Sequence, residues 1–277
     1  MGRPVSRDRD GDRWIVKPGM SLSLADRDPR DTTGAPGGKR ETKALLEELG
    51  TELAGLQERL YAESRQTLLV VLQAVDAGGK DGTVKHVFHG VNPQGVRVTS
   101  FKQPSPEELA HDFLWRIHAN VPPHGYLGIF NRSHYEDVLI VRVHDLVPES
   151  VWRPRYHHIN HFEALLHDAG IRVVKLFLHI SREEQAERLR ARLADPTKRW
   201  KFDPADLAER ARWDAYRAAY EEAIGQTSTE HAPWYVIPAD RKWFRNWAVS
   251  RIVIETLDDM DPRYPEPAAD LDGITIT

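Results

Sequence analysis

The sequence predicts an α/β protein with a parallel five-stranded sheet flanked by helices, and three observations predict it. Short apolar runs rich in Val, Ile and Leu alternate with longer amphipathic segments, the pattern of strands joined by crossover helices. A glycine-rich stretch, AVDAGGKDGT (Ala74–Thr83), lies between the first such run and the segment after it, where a phosphate-binding loop would sit. A polar cluster, NRSHYED (Asn131–Asp137), follows the third run. In open α/β sheets ligands bind beyond the C-terminal strand ends, and both clusters fall there.

Each element follows in order. Residues 1–42 are rich in Arg, Asp, Gly and Pro and read as an extended arm, in which only WIVKP and SLSLAD have apolar residues to pack. A domain spanning 43–262 follows. Leu45, Leu46, Leu49, Leu53, Leu56 and Leu60 recur with helical periodicity. TLLVVLQAVD is expected as a buried strand and GTVKHVFHGV as a short helix. GVRVTSFK is a second strand, and SPEELAHDFLWRIHANV reads as a helix with Ser105 as N-cap and Glu108 at the capping-box position. GYLGIFNRS is a third strand, SVWRPRYHHINHFEALLHDAG a helix ending at Gly170, and IRVVKLFLHIS a fourth strand. Residues 181–224 read as a charged helical lid broken near Asp195-Pro196. APWYVIPAD is a short fifth strand, KWFRNWAVSRIVIETLDDM a closing helix, and residues 263–277 a polar tail.

Composition bounds the function. The 277 residues, 40% hydrophobic and 29% charged, suit a soluble chain with a sizeable core. There is no cysteine, which excludes disulfides, thiolate nucleophiles and Cys-ligated zinc. The N-terminus lacks the apolar stretch of a secretory signal, and no apolar run is long enough for a membrane span. A cytoplasmic protein with no membrane partner is expected. The net charge of −4 gives no general attraction to nucleic acid, so an anionic ligand must be drawn by local clusters.

Three clusters could do so. In the loop, Gly78, Gly79 and Gly82 let successive N–H groups turn toward an anion, and Lys80 can reach phosphate oxygens. Ala74 and Asp81 depart from the usual G-x-x-x-x-G-K-[ST] pattern. Asp76 and Asp81 beside an anion call for a cation between them, and Mg²⁺ binds a few carboxylates plus phosphate oxygens. Other readings are a glycine-rich turn with a solvated lysine, Asp76 as a helix N-cap and Asp81 as a solvated first-turn acid. In the second cluster, Asn131 stands at a strand end that normally carries a Mg²⁺-contacting Asp. Arg132 could hold phosphate in bidentate fashion and Glu136 could supply the carboxylate. In the third, Arg188 and Arg192 share a helix face, and Lys198, Arg199 and Lys201 follow a Pro-broken turn. They could clamp charge from a lid, or form a solvated face balanced by Glu183, Glu184 and Glu187. His157 and His161 have zinc-ligand spacing but no third ligand, so a helix surface is expected. Trp152, Trp200, Trp213, Trp234, Trp243 and Trp247 read as packing residues, some of which could stack on a base, though spacing does not choose one.

Together, DAGGKDG, FNRSHYED and DPTKRWKF…APWYVIPADRKWFRN resemble the polyphosphate kinase 2 family, over roughly residues 12–260. The HYED motif after Asn131 resembles its class III. The resemblance implies a P-loop kinase fold akin to thymidylate kinase, and Mg²⁺-dependent transfer of a phosphoryl group from inorganic polyphosphate to AMP and ADP. By position it makes Asp76 the acid that orients the acceptor phosphate and metal, Gly79 and Lys80 the phosphate cradle, Arg132 the Walker-B-region arginine and Glu136 a metal- or acceptor-orienting acid. Polyphosphate contacts are expected from Gly78, Gly79, Lys80, Asp81, Gly82, Thr83, Lys85, Arg132, Arg188, Arg192, Lys198 and Lys201. Nucleotide contacts are expected from Asn131, Arg132, His134 and Tyr135. Mn²⁺ is an alternative metal, guanine an alternative base, and a homodimer or homotetramer the expected assembly. An ATP-dependent nucleoside monophosphate kinase and a non-catalytic polyphosphate- or nucleic-acid-binding module are the competing readings. The missing loop hydroxyl argues against the first, and the carboxylates Asp76 and Glu136 against the second.

Overall fold

The protein is described here by a computed structural model covering residues 10–267 and 274–276. The parts of the expected arm and tail at 1–9, 268–273 and 277 lie outside the described residues. The strands are β1 (Ile15–Val16), β2 (Thr67–Gln73), β3 (Val96–Ser100), β4 (Leu127–Asn131), β5 (Ile171–His179) and β6 (Trp234–Pro238). They lie side by side in the order β1-β6-β5-β2-β4-β3. The helices are α1 (Lys39–Glu63), α2 (Lys80–Val87), α3 (Pro106–Leu109), α4 (Trp115–His118), α5 (Ile140–Val143), α6 (Glu149–Trp152), α7 (Arg155–Asp168), α8 (Arg182–Ala194), α9 (Ala205–Ala211), α10 (Trp213–Thr227) and α11 (Lys242–Met260).

The five expected strands are present and mutually parallel. The sixth corrects the count. Ile15 and Val16 of the arm pair antiparallel with Tyr235 and Trp234, which covers the outer edge of β6. A two-residue pairing leaves no alternation to read. The arm is thus anchored: Trp14, Val16 and Leu24 are buried.

β2 is buried along its whole length because it is central and both faces are covered. Leu68, Val70 and Leu72 pack with Leu53, Leu56 and Leu60 of α1 and Val249 and Val253 of α11. Leu69 and Val71 pack on the opposite face with Ile159 and Phe162 of α7 and Ile224 of α10. This is the alternation a pleated strand imposes.

Two expected helices are broken. Ser105 and Glu108 do form the capping box of α3, but Asp112 Oδ1 accepts from Leu114 N at 2.9 Å, a side-chain turn that competes with helix continuation. The helix expected over 150–170 splits at Pro154, which has no N–H to donate. α1 also starts at Lys39, four residues earlier than read. β2 leads outward toward β3 on one side and β5 toward β6 on the other. This reversal opens a crevice at the C-terminal end of β2.

Candidate active site

The loop after β2 turns sharply. Gly78 N donates to Val75 O at 3.0 Å, and a Cβ on Gly78 would overlap Ala74 and crowd the Val75 carbonyl. Ala77 (φ +58°) and Gly79 (φ +103°) sit in the left-handed region, costly for an alanine and free for a glycine. α2 begins at Lys80, so its first N–H groups and its dipole face the crevice. Lys80 Nζ folds back to donate to Ala74 O at 2.7 Å. Desolvation and then the Arg132 guanidinium push its ammonium down to about 8, against the pull of Asp76, Glu136 and Asp81.

The end of β4 meets this loop. Arg132 is the second non-glycine residue of the site with a left-handed backbone (φ +63°). Its Nη2 donates to Asp76 Oδ1 at 2.9 Å, across 56 residues of chain. Burial works against its charge, but Glu136 and Asp76 outweigh burial and raise its pKa. Asn131 Nδ2 donates to Asp81 Oδ1 at 2.8 Å, and Lys201 of the lid lies 3.4 Å from Asp81 Oδ2. Partial burial pushes Asp81 up, yet Asn131 and Lys201 more than offset it and hold the acid below its ordinary value. With its amide oriented to satisfy both ends, Gln73 at the end of β2 donates to Glu136 Oε1 at 3.1 Å. Asp76, Lys80, Asp81, Asn131, Arg132 and Glu136 are therefore one connected cluster at the crevice.

Known proteins resemble this chain closely. A family model described as Polyphosphate kinase 2 matches residues 37–265. The chain belongs to the polyphosphate kinase 2 family. It is 54% identical to the AMP/ADP-polyphosphate phosphotransferase of Meiothermus ruber over 264 residues, 95% of this chain and 99% of that one. It is 47% identical to the ADP-polyphosphate phosphotransferase of Rhodopseudomonas palustris, covering 82% and 83% of the two chains. The crystal structure of polyphosphate kinase 2 from Arthrobacter aurescens TC1 superposes with a TM-score of 0.92 at 46% identity, over 95% of this chain and 94% of that one.

Within this polyphosphate kinase 2 fold, four expected contacts take other roles. His134 and Tyr135 are 1% and 0% exposed, so their side chains pack in the core. Glu163 Oε1 bonds both His134 Nε2 (3.2 Å) and the Tyr135 hydroxyl (2.9 Å). The Thr83 hydroxyl is buried and donates to Gly79 O at 3.1 Å. Arg188 is 8% exposed and saturated: Nε meets Glu184 (2.6 Å), Nη1 donates to Ala77 O and Gly78 O, and Nη2 to Ala239 O. It holds the loop from behind instead of reaching over it. Lys85 is exposed on α2. Arg192 pairs with Asp206 at 3.5 Å and Lys198 with Asp195, both inside the lid. Trp200, read as packing, is 78% exposed beside Lys201, whereas Trp152, Trp234 and Trp247 are buried. His157 and His161 lie on the surface as expected.

Sequence reading missed Arg245, which backs the loop, and Lys175, which carries the Glu163 network. A lysine inside the apolar run IRVVKLFLH was a visible signal; Arg245 lay within the stretch ADRKWFRN that carries the resemblance, but its spacing gave it no role. Among the described residues no group of three His, Asp or Glu side chains could hold a metal. The donors fit a cation that takes one or two carboxylates and completes its shell with phosphate oxygens and water, as Mg²⁺ does. Asp76 and Glu136 are the two acids around Arg132, and such a cation would draw its carboxylates from them. No described helix is long and apolar enough to cross a membrane.

Proposed function

We propose that this chain transfers the terminal phosphoryl group of inorganic polyphosphate to AMP and to ADP, with Mg²⁺ as the metal. One observation carries the reading: Asp76 of the loop and Arg132 of the β4 end meet at the switch point, where a nucleoside-triphosphate kinase of this fold would carry a loop hydroxyl and a metal-binding acid. The names of the Meiothermus ruber and Rhodopseudomonas palustris relatives support the donor and acceptors.

The residues divide the work. The loop N–H groups and Lys80 hold the transferred phosphoryl, and Arg132 balances its charge as the bond to the donor lengthens. Asp76 orients the acceptor phosphate. Lys201 brings a cation from the lid and excludes water with it. Mg²⁺, held by Asp76 and Glu136, would neutralise charge between donor and acceptor. Such transfer needs positioning and electrostatics and no covalent nucleophile. Pure protein incubated with Mg²⁺, polyphosphate and AMP, without ATP, is expected to yield ADP and then ATP by chromatography. Phosphorylation of a nucleotide only when ATP replaces polyphosphate would reject the donor assignment.

A further inference from the structure

The loop carbonyls are held by two buried guanidinium groups from two different elements. Arg188 of α8 donates through Nη1 to Ala77 O (3.1 Å) and Gly78 O (2.8 Å). Arg245 of α11 donates through Nη1 to Gly79 O at 3.3 Å. A trans peptide points its N–H opposite to its C=O. Fixing the carbonyls of Gly78 and Gly79 from behind therefore turns the N–H groups of Gly79 and Lys80 the other way. These are donors at the start of α2, on the face where an anion binds. Arg245 lies so close that a Cβ on Gly79 would overlap its Nη1, and one on Gly82 would touch its Nη2 at 3.5 Å. Gly79 is thus where the missing Cβ makes room for the arginine, whereas Gly82 meets it at ordinary contact distance.

The two arginines differ in counter-charge. Arg188 has Glu184 at 2.6 Å. Arg245 is 2% exposed, no carboxylate among the described residues is paired with it, and its other bonds go to the neutral Asn246 Oδ1 at 3.1 and 2.7 Å. A buried guanidinium without a counter-ion is costly. Burial first and the Arg188 charge second push Arg245 down to about 10. In the resting fold its guanidinium makes hydrogen bonds to neutral oxygens only.

We propose that Arg245 is a positioning residue for the polyphosphate donor: through the Gly79 carbonyl it sets the anion-binding face of the loop, and the bound polyanion supplies the counter-charge that the protein withholds. The inference rests on the donor assignment above, but it predicts a binding signature that does not depend on turnover. The full-length chain, Arg245→Met and Arg245→Lys are melted with and without tripolyphosphate, and KM is measured for polyphosphate and for AMP. Arg245→Met should melt at or above the wild-type midpoint without anion. Its rise with tripolyphosphate should be roughly halved or less, and its KM for polyphosphate should increase roughly tenfold, the size expected for a lost charged hydrogen bond. KM for AMP should hold. Arg245→Lys should recover part of the anion response.

An anion-induced rise in Arg245→Met equal to that of the wild type would overturn the proposal. So would a fall in the midpoint without anion that Arg245→Lys restores with no gain in binding, or failure of both variants to fold, since each marks a purely structural arginine. If the wild type is stabilised by tripolyphosphate yet transfers nothing to AMP or ADP, the functional reading fails and the positioning role is still decided by the melts. A wild type that tripolyphosphate does not stabilise overturns the role itself.

Discussion

Two lysine–carboxylate pairs fasten segments that carry the active site, and they share little beyond charge. Lys175 Nζ lies 2.5 Å from Glu163 Oε2 with both side chains 0% exposed. The Thr227 carbonyl (2.6 Å) and the Tyr135 hydroxyl (3.0 Å) complete the ammonium's shell. Lys201 lies 3.4 Å from Asp81 Oδ2 with the side chains 37% and 70% exposed. The first pair pins His134 and Tyr135, and so fixes the 3₁₀ turn His134–Asp137 that presents Glu136. The second ties the lid to the loop by a direct contact in an exposed position. A buried, fully bonded pair is expensive to break, whereas an exposed one contributes about 0–1 kcal/mol. One side of the site is thus fastened in the core, and the other is held by a weak, exposed contact.

The largest expected effect removes what both pairs serve. Asp76→Asn and Lys80→Ala should each lower kcat/KM by about 10²–10³-fold, the scale for losing one preorganised charge or donor at a transition state, with unchanged circular dichroism. Either variant retaining most of the wild-type rate would detach that residue from the chemistry. Next, Lys175→Met should cost about 3–5 kcal/mol in denaturant melts, because it leaves Glu163 charged and buried. Lys175→Met combined with Glu163→Leu should regain much of that loss. A single variant within about 1 kcal/mol of wild type would erase the contrast between the pairs.

A third effect separates loop from lid by pH. Lys80 carries its proton below about 8 and loses it above. Since kcat/KM reports the free enzyme, it should fall about tenfold per pH unit beyond that point, and Lys80→Arg should abolish the descent. In stability the sign is opposite. The folded value lies below the ordinary 10.5, so the charged lysine opposes folding below about 8, and that penalty fades as pH rises toward 10.5.

Much of this was legible. TLLVVLQ and IRVVKLFLH declare central strands because both their faces are apolar, and the residues that follow them must lie at the crevice. Depth was not legible. Arg188 and Arg192 share a helix face by spacing, but one dips to the loop carbonyls while the other bonds within the lid. HYED read as a single site motif, yet its 3₁₀ turn buries His134 and Tyr135 in the core and leaves Glu136 beside Gln73 and Arg132. Chain order places residues along the crevice, and only packing decides which way each side chain points.

The smallest effect on stability is the sharpest test of the exposed side. Lys201→Ala should change stability by no more than about 1 kcal/mol, since its pair is exposed and long. Its cost should appear in the polyphosphate KM instead. Salt screens an exposed cation over about 10 Å at 0.1 M, so the ratio of variant to wild-type KM should be largest at low ionic strength and shrink as salt is added. Lys198→Ala should show the same trend more weakly, because Asp195 already engages its ammonium within the lid. A ratio that ignores salt would mean that Lys201 shapes the lid and does not meet the donor. The lid's attachment would then depend on the His144–Glu209 contact (2.8 Å) and on Arg212, which donates to the Val143 carbonyl at 3.1 Å. The contrast between a fastened turn and a weakly held lid would in that case move from the loop side of the lid to its α5 side.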